Sequence, residues 1–209
     1  MSATGTRGMP RAEREALILD AAVREFGASG YAGATVSSIA DAADVSKPLV
    51  MRYFGSKEDL YIACVTRAGE NLATRIEPVL ATDAPSLSMA ADTLAAIFAG
   101  LQARPHDWTV LHDRTVERGS AAHDAARDQR HRITGQGARG VAALAASVPD
   151  SVTGELDVDD LAVLSEIWIA VVTAMVQWWL RHPDQTAAQM TQRCYRLLAV
   201  IGRLETPAP

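Results

Sequence analysis

The chain has 209 residues, of which 48% are hydrophobic and 22% charged, and its formal net charge is -5 at pH 7. This composition is that of a folded globular protein and excludes a disordered chain. The acidic balance excludes a generally basic nucleic-acid binder, so any such binding must come from a local patch.

The hydrophobic pattern predicts an all-α protein, since alanine is abundant and β-branched alternation is scarce. The first predicted helix runs from about Pro10 to Ala28, because Ile18, Ala22 and Phe26 recur every fourth residue. Gly30 is expected to end it with a positive φ. Further helices are predicted at about 36–43, 46–54, 56–80, 86–103, 105–118, 121–147, 159–182 and 184–204.

The segment 161–180 contains twenty residues with one charge, Glu166. That length could span a bilayer, but a carboxylate near its centre costs about 2.5–3.5 kcal/mol on insertion scales. A helix that is apolar over most of its circumference is normally buried inside a protein. We therefore expect a buried helix rather than a membrane span.

Residues with metal or redox chemistry are scattered. Cys64 and Cys194 match no metal or redox spacing and are expected to be buried thiols, which suits a reducing cytoplasm. The N-terminus shows no apolar region of a secretory signal, so a cytoplasmic location is expected. No metal, no cofactor and no enzymatic activity are predicted, because no zinc spacing or catalytic motif includes the five histidines, His106, His112, His123, His131 and His182.

Residues 36–54 have the pattern of a helix-turn-helix. Thr35 and Ser46 are good N-caps for two short helices joined by Asp44 and Val45. Pro48 is tolerated in the first turn of the second helix, where backbone N–H groups have no helical partner. The second helix of such a motif can lie in the major groove of DNA.

The second helix of the motif presents cations and apolar groups on one side. If Val50 and Phe54 face inward, the outward groups are Lys47, Pro48, Leu49, Met51 and Arg52. Arg52 can donate a bidentate pair to guanine, and apolar groups can contact a thymine methyl. Tyr53, Lys57 and the N–H groups behind Thr35 are placed for phosphate. No acidic residue lies in 45–57.

The segment from Ile18 to Tyr61 resembles the DNA-binding domain of TetR-family (tetracycline-repressor-like) transcriptional regulators. The matching features are Ile-Leu-x-Ala-Ala, Phe26, Gly30-Tyr31, Thr35-Val36, Ile39-Ala40, Val45-Ser46 and Tyr53-Phe54-x-Ser-Lys57. The sequence departs from the family at Leu49, where threonine is common, and at Met51, where tyrosine is common. The DNA-binding residues expected from the motif and the resemblance are Thr35, Ser46, Lys47, Pro48, Leu49, Met51, Arg52, Tyr53 and Lys57.

The resemblance also implies a helical body that holds a ligand. The effector is expected to be an apolar or aromatic small molecule with a few polar groups. Glu166, Thr173 and Gln177 share one arc and would need polar partners if buried, either a ligand or groups of the same chain. The candidate ligand-binding residues are Met89, Phe98, Leu101, Trp108, Leu111, His112, Glu166, Trp168, Thr173 and Gln177.

Large side chains on the last two predicted helices are candidates for a dimer interface. A two-fold dimer would place two recognition helices about 34–36 Å apart, matching half-sites of a palindromic operator. The alternative is that these side chains fill the core of the protomer itself. The candidates are Val171, Met175, Trp178, Trp179, Met190 and Tyr195.

The sequence therefore predicts a helix-turn-helix DNA-binding domain over about 10–56 and a helical ligand-binding and dimerisation domain over about 57–205. The predicted function is a homodimeric, sequence-specific regulator of transcription, a repressor, with double-stranded DNA and a small-molecule effector as partners and no membrane. The alternatives are a helical small-molecule-binding protein that does not bind DNA, or an all-helical enzyme.

Overall fold

The computed structural model describes residues 9–81, 85–149 and 156–204, and every regular element within those ranges is an α-helix. The predicted all-α class is confirmed. In chain order the helices are α1 (Arg11–Gly33), α2 (Val36–Ala42), α3 (Lys47–Phe54), α4 (Lys57–Leu80), α5 (Leu87–Gln102), α6 (His106–Leu111), α7 (Ala121–Ser147), α8 (Val158–Leu180) and α9 (Ala187–Leu204).

The chain divides into two compact units. Of the described residues, the first contains 9–70 and 105–130, and the second contains those of 71–104 and of 131–204. The predicted domains, about 10–56 for DNA binding and about 57–205 for ligand binding and dimerisation, stay a prediction.

The core of the first unit is built on α1. Ile18, Ala22 and Phe26, the predicted apolar stripe, are at most 1% exposed. The Phe26 ring meets the buried ring of Tyr61 edge-on at 5.1 Å, and Tyr31 meets Tyr61 in the same way at 5.0 Å. These aromatic contacts join α1 to α4 inside the unit that carries α2 and α3.

Helix α1 bends at Gly30 instead of ending before it. Gly30 has φ 70° and ψ 166°, a conformation that is nearly confined to glycine. The positive φ predicted for this residue is confirmed, but one more helical turn follows it to Gly33. The N–H groups of Tyr31 and Ala32 are bonded by the side chains of Asp113 and Thr115, which lie beyond α6.

The helix predicted over 105–118 is too long, because α6 ends at Leu111. Asp113 explains the early end: its carboxylate accepts hydrogen bonds from the backbone and hydroxyl of Thr115, both 2.8 Å long, and from the N–H of Tyr31. These bonds stabilise a turn where the pattern indicated helix, as aspartate side chains often do.

The core of the second unit contains contacts of α5 with both α8 and α9. Phe98, which is fully buried, meets the ring of Trp179 edge-on at 5.2 Å. The side chain of Gln102 accepts a hydrogen bond from the N–H of Ala187 at the start of α9. On α7, the buried Gln136 donates to the carbonyl of Ala73 at 2.9 Å.

Helix α8 is mostly exposed in the single chain. Its buried residues are Val172, Val176 and Trp179. Only 11% of its most apolar 18-residue stretch is buried. The expectation of a buried helix is therefore wrong for the isolated protomer. Among the described residues this is the one helix long and apolar enough to cross a membrane, with a mean hydropathy of 1.7.

Candidate nucleic-acid interface

Two short helices with a tight turn form the centre of the candidate interface. Thr35 caps α2 in a reciprocal box: its hydroxyl accepts from the N–H of Ser38, and the Ser38 hydroxyl accepts from the N–H of Thr35. Asp44, with φ 51°, makes the turn to α3. Ser46 occupies the N-cap position of α3 but forms no side-chain cap, so only its backbone carbonyl bonds the first turn.

The outward face of α3 agrees with the prediction at Lys47, Pro48, Met51 and Arg52, but Leu49, predicted to face outward, and Phe54, predicted to face inward, are both half-buried. Val50 is 1% exposed and anchors the helix. Lys47, Pro48, Met51 and Arg52 are exposed. The half-buried residues are Leu49, Tyr53 and Phe54. The exposed set combines two basic side chains with apolar surface, which suits base edges and phosphates together.

Lys57 lies at the start of α4 and is half-buried. Its ammonium group lies 4.5 Å from the centroid of the Tyr31 ring. This cation–π contact positions the ammonium group and leaves its N–H donors able to bond an anion. Its predicted role in phosphate binding stays a prediction.

Sequence reasoning missed two arginines of α1 that contact Tyr53. Arg14 donates from Nη1 to the Tyr53 hydroxyl at 3.3 Å. The Arg11 guanidinium carbon lies 5.4 Å from the centroid of the Tyr53 ring. The Arg14–Tyr53 pair is 39 residues apart in the chain, and no local pattern indicates such a pairing.

The second unit contains a small cleft lined by residues of α4, α5, α7 and α8. Of the predicted ligand-binding residues, Met89 and Trp168 line it. The hydroxyl of Thr93, also in the lining, donates to the carbonyl of Met89 at 2.8 Å. The cleft therefore presents an apolar surface. The remaining lining residues are Leu80, Ala90, Gly137, Gly140, Val141 and Leu144.

The other predicted ligand-binding residues lie elsewhere. Phe98 and Leu101 are fully buried in the core of the second unit. Glu166 and Gln177 are exposed, so the premise that they are buried polar groups in need of partners is wrong, and Thr173 is half-buried. The first unit holds Trp108, Leu111 and His112, with the His112 ring stacked on Trp108 at 4.2 Å.

Glycines of α7 let large side chains approach the cleft closely. A β-carbon on Gly137 would lie 3.1 Å from Cδ1 of Trp168, and one on Gly140 would lie 3.0 Å from a methyl of Leu80. The sequence Gly-Gln-Gly-Ala-Arg-Gly at 135–140 is the pattern from which a helix surface with little side-chain bulk could have been predicted. It lies inside α7 and so forms no dinucleotide-binding loop.

The predicted dimer residues divide by exposure. Val171 and Tyr195 are exposed, whereas Trp179 and Met190 are buried in the protomer, as the alternative interpretation expected. Met175 and Trp178 are half-buried. The Trp178 ring stacks on His182 at 3.9 Å, and the guanidinium of Arg193 lies 4.9 Å from its centroid.

Comparison with known proteins identifies the class. Residues 18–64 match the family model of bacterial regulatory proteins of the tetR family. The transcriptional activator FasR of Mycolicibacterium smegmatis is 40% identical over 74 residues, which are 35% of this chain and 34% of FasR. The transcriptional regulator BetI of Rhizobium meliloti is 48% identical over 58 residues, 28% of each chain. The chain thus matches about a third of the length of these relatives.

A TetR-like transcriptional regulator from Rhodococcus sp. RHA1 is 25% identical, with a TM-score of 0.65 over 91% of this chain and 98% of its own. FadR from Bacillus subtilis, solved in complex with stearoyl-CoA, is 17% identical, with a TM-score of 0.68 over 88% of this chain and 96% of its own. The fold is that of TetR-like regulators. The predicted resemblance of residues 18–61 to TetR-family regulators is confirmed by the family model and by these relatives.

Proposed function

We propose that the chain is a homodimeric regulator of transcription that binds a palindromic operator through α2 and α3. The observation that carries this proposal is the exposed face of α3, where Lys47 and Arg52 flank apolar groups while Val50 holds the helix from behind. The residues proposed to contact DNA are Thr35, Ser46, Lys47, Pro48, Leu49, Met51, Arg52, Tyr53 and Lys57.

Selection of duplexes from a random-sequence pool, followed by binding titrations in rising KCl, tests this function. Arg52→Ala is expected to relax the preference at one base position and to cost about 1–3 kcal/mol in binding free energy. Lys57→Ala should weaken all duplexes alike and lower the salt slope by about one. Arg132→Ala, an exposed arginine of the other unit, is the control. Recovery of no duplex by the wild-type protein would contradict the proposal.

We propose that α8 and α9 form the dimer interface. Val163, Ile167 and Val171 recur every fourth residue on α8 and are 59%, 54% and 36% exposed, and α9 adds Leu197 and Val200 at 47% and 59%. Exposed apolar faces of this kind mark protein or membrane contacts. Ile167→Glu should convert a dimer into a monomer in sedimentation experiments, whereas Glu166→Gln should not. A monomeric wild-type protein that binds lipid vesicles would favour a membrane contact instead.

We propose that the cleft of the second unit binds the acyl chain of an effector. Its apolar lining and the internal bond of Thr93 favour a ligand that is apolar where it enters. Stearoyl-CoA, found in the FadR complex, is the probe: it should change Trp168 fluorescence and the affinity for the selected duplex, and coenzyme A alone should do neither. Trp168→Phe should remove the fluorescence change and Trp108→Phe should preserve it.

We propose that the protein represses transcription. FasR, which shares 40% identity over the matched residues, is named an activator. A promoter that carries the selected operator and is fused to a reporter gene tests whether the protein represses or activates. Repression predicts that reporter output falls when the protein is expressed.

A further inference from the structure

We propose that Arg11 and Arg14 of α1 join Tyr53 of α3 in a phosphate-binding cluster beside the recognition helix, with Arg14 positioning the Tyr53 hydroxyl and Arg11 contacting phosphate itself. This inference rests on the proposed DNA-binding function and extends it to a helix outside the helix-turn-helix. The cluster is defined by these three residues.

The hydrogen bond between Arg14 and Tyr53 has a direction. Arg14 Nη1 donates, so the tyrosine oxygen accepts and its own proton stays available for another acceptor. A second bond, from Arg14 Nη2 to the carbonyl of Met9 at 2.9 Å, fixes the guanidinium. A cation that donates to a hydroxyl makes that hydroxyl a stronger donor, because hydrogen bonds in a chain polarise one another. A phosphate oxygen is the acceptor that such a donor suits.

Arg11 lies at a position where its positive charge is electrostatically unfavourable. It is the first residue of α1, at the positive end of the helix dipole, where a cation is destabilising. Within the described ranges it forms no ion pair, although Glu13 and Glu15 are near in sequence. Its guanidinium contacts the face of the Tyr53 ring, and its side chain is exposed. An external anion would compensate both charges.

The cluster is continuous with the proposed DNA-binding face through α3. Tyr53 follows Arg52 directly, and both are in the last turn of α3 before Gly55. Phosphate contacts from residues beside a recognition helix set its register on the duplex. The cluster would therefore orient α3 in the groove without reading any base.

Binding of a duplex selected by the wild-type protein, measured as a function of KCl, tests the direct contact. Arg11→Gln should lower the slope of log K against log salt by about 0.9, the value for one phosphate contact. Arg24→Gln is the matched control: it removes an exposed arginine from the same helix, about 20 Å along the axis, and should leave the slope unchanged. An equal slope for both variants would overturn the direct role of Arg11.

A double-mutant cycle tests the positioning role of Arg14. Tyr53→Phe and Arg14→Gln should each weaken binding about tenfold, the scale of a hydrogen bond to a charged group. The double variant should bind no more weakly than either single variant, because both changes remove the same phosphate contact. Fully additive losses would overturn the positioning role. Denaturation midpoints of all four proteins show whether each variant folds.

The same experiments separate this inference from the function on which it rests. If the wild-type protein selects no duplex, both fail. If it selects one, binds it with a steep salt slope, and all of the cluster variants behave like Arg24→Gln, only the cluster is wrong.

Discussion

The hydroxyl of Tyr61 on α4 donates a 2.8 Å hydrogen bond to the carbonyl oxygen of Val110 on α6, and both residues are fully buried. Tyr61→Phe keeps the aromatic contacts but removes the shorter of two hydrogen bonds to that carbonyl, leaving the 3.4 Å bond from the N–H of Asp113. It should lower the free energy of unfolding by about 1 kcal/mol. Urea denaturation measures the loss. Tyr195→Phe, which removes a bond from an exposed hydroxyl to Asp92, should cost less. Equal losses of unfolding free energy in the two variants would contradict a stabilising role for the buried Tyr61 hydrogen bond.

Burial also raises the pKa of the Tyr61 hydroxyl well above its ordinary value, chiefly through desolvation. The neutral form that donates to Val110 therefore persists in the folded protein at any pH near neutrality.

Gly27 lets α6 lie directly against α1. A β-carbon there would lie 2.6 Å from the His106 ring and 2.7 Å from the hydroxyl of Thr109. Gly27→Ala should displace α6 and cost about 1–3 kcal/mol in stability, the usual cost of overpacking. Gly33→Ala on the same helix meets Ser29 at an ordinary 3.4 Å and is the control. Thermal denaturation compares the two, and a Gly27→Ala protein as stable as the control would contradict the contact.

Two glycines of α7 should respond to alanine in different ways. A β-carbon at Gly135 meets nothing within 4 Å, so Gly135→Ala should stabilise the protein by about 0.5–1 kcal/mol through helix propensity. Gly137→Ala adds the same propensity but places its methyl 3.1 Å from Trp168. We expect a smaller gain or a loss, with altered indole fluorescence. Equal stabilisation without a fluorescence change would show that Trp168 does not pack there.

Cys194 should be unreactive while the protein is folded. Burial raises the pKa of its thiol from 9.0 to about 11, so the neutral form dominates at pH 8. Because the folded pKa is the higher one, this thiol stabilises the fold below the unfolded pKa, and the contribution is lost as pH rises towards 11. In a Cys64→Ser variant, maleimide should label Cys194 slowly in buffer and rapidly in urea. Rapid labelling of the folded protein would contradict its burial.

Local patterns predicted the helix-turn-helix well. The apolar stripe of Ile18, Ala22 and Phe26, the N-cap at Thr35 and the anchor Val50 depend on residues within a few positions of each other. Helix periodicity and capping chemistry are legible at that range. The exposure of Lys47, Pro48, Met51 and Arg52 followed from the same periodicity, whereas Leu49 is half-buried.

The features that the sequence did not indicate depend on distant partners. Asp113 bonds the N–H of Tyr31 across 82 residues, and this bond belongs to the turn that ends α6 early. Periodicity also shows that α8 is apolar, but it cannot show whether the covering partner belongs to the same chain. That is why the face around Ile167 was expected to be buried and is 54% exposed.

Gly30 has a consequence for the genetics of this protein. Every missense change in its codon adds a β-carbon to a backbone with φ 70° and ψ 166°, 2.8 Å from the hydroxyl oxygen of Thr115. No other amino acid avoids both the backbone strain and this clash. A random-mutagenesis screen for loss of DNA binding should therefore recover almost any replacement of Gly30. Replacement of Gly135 by alanine should be absent from the same screen.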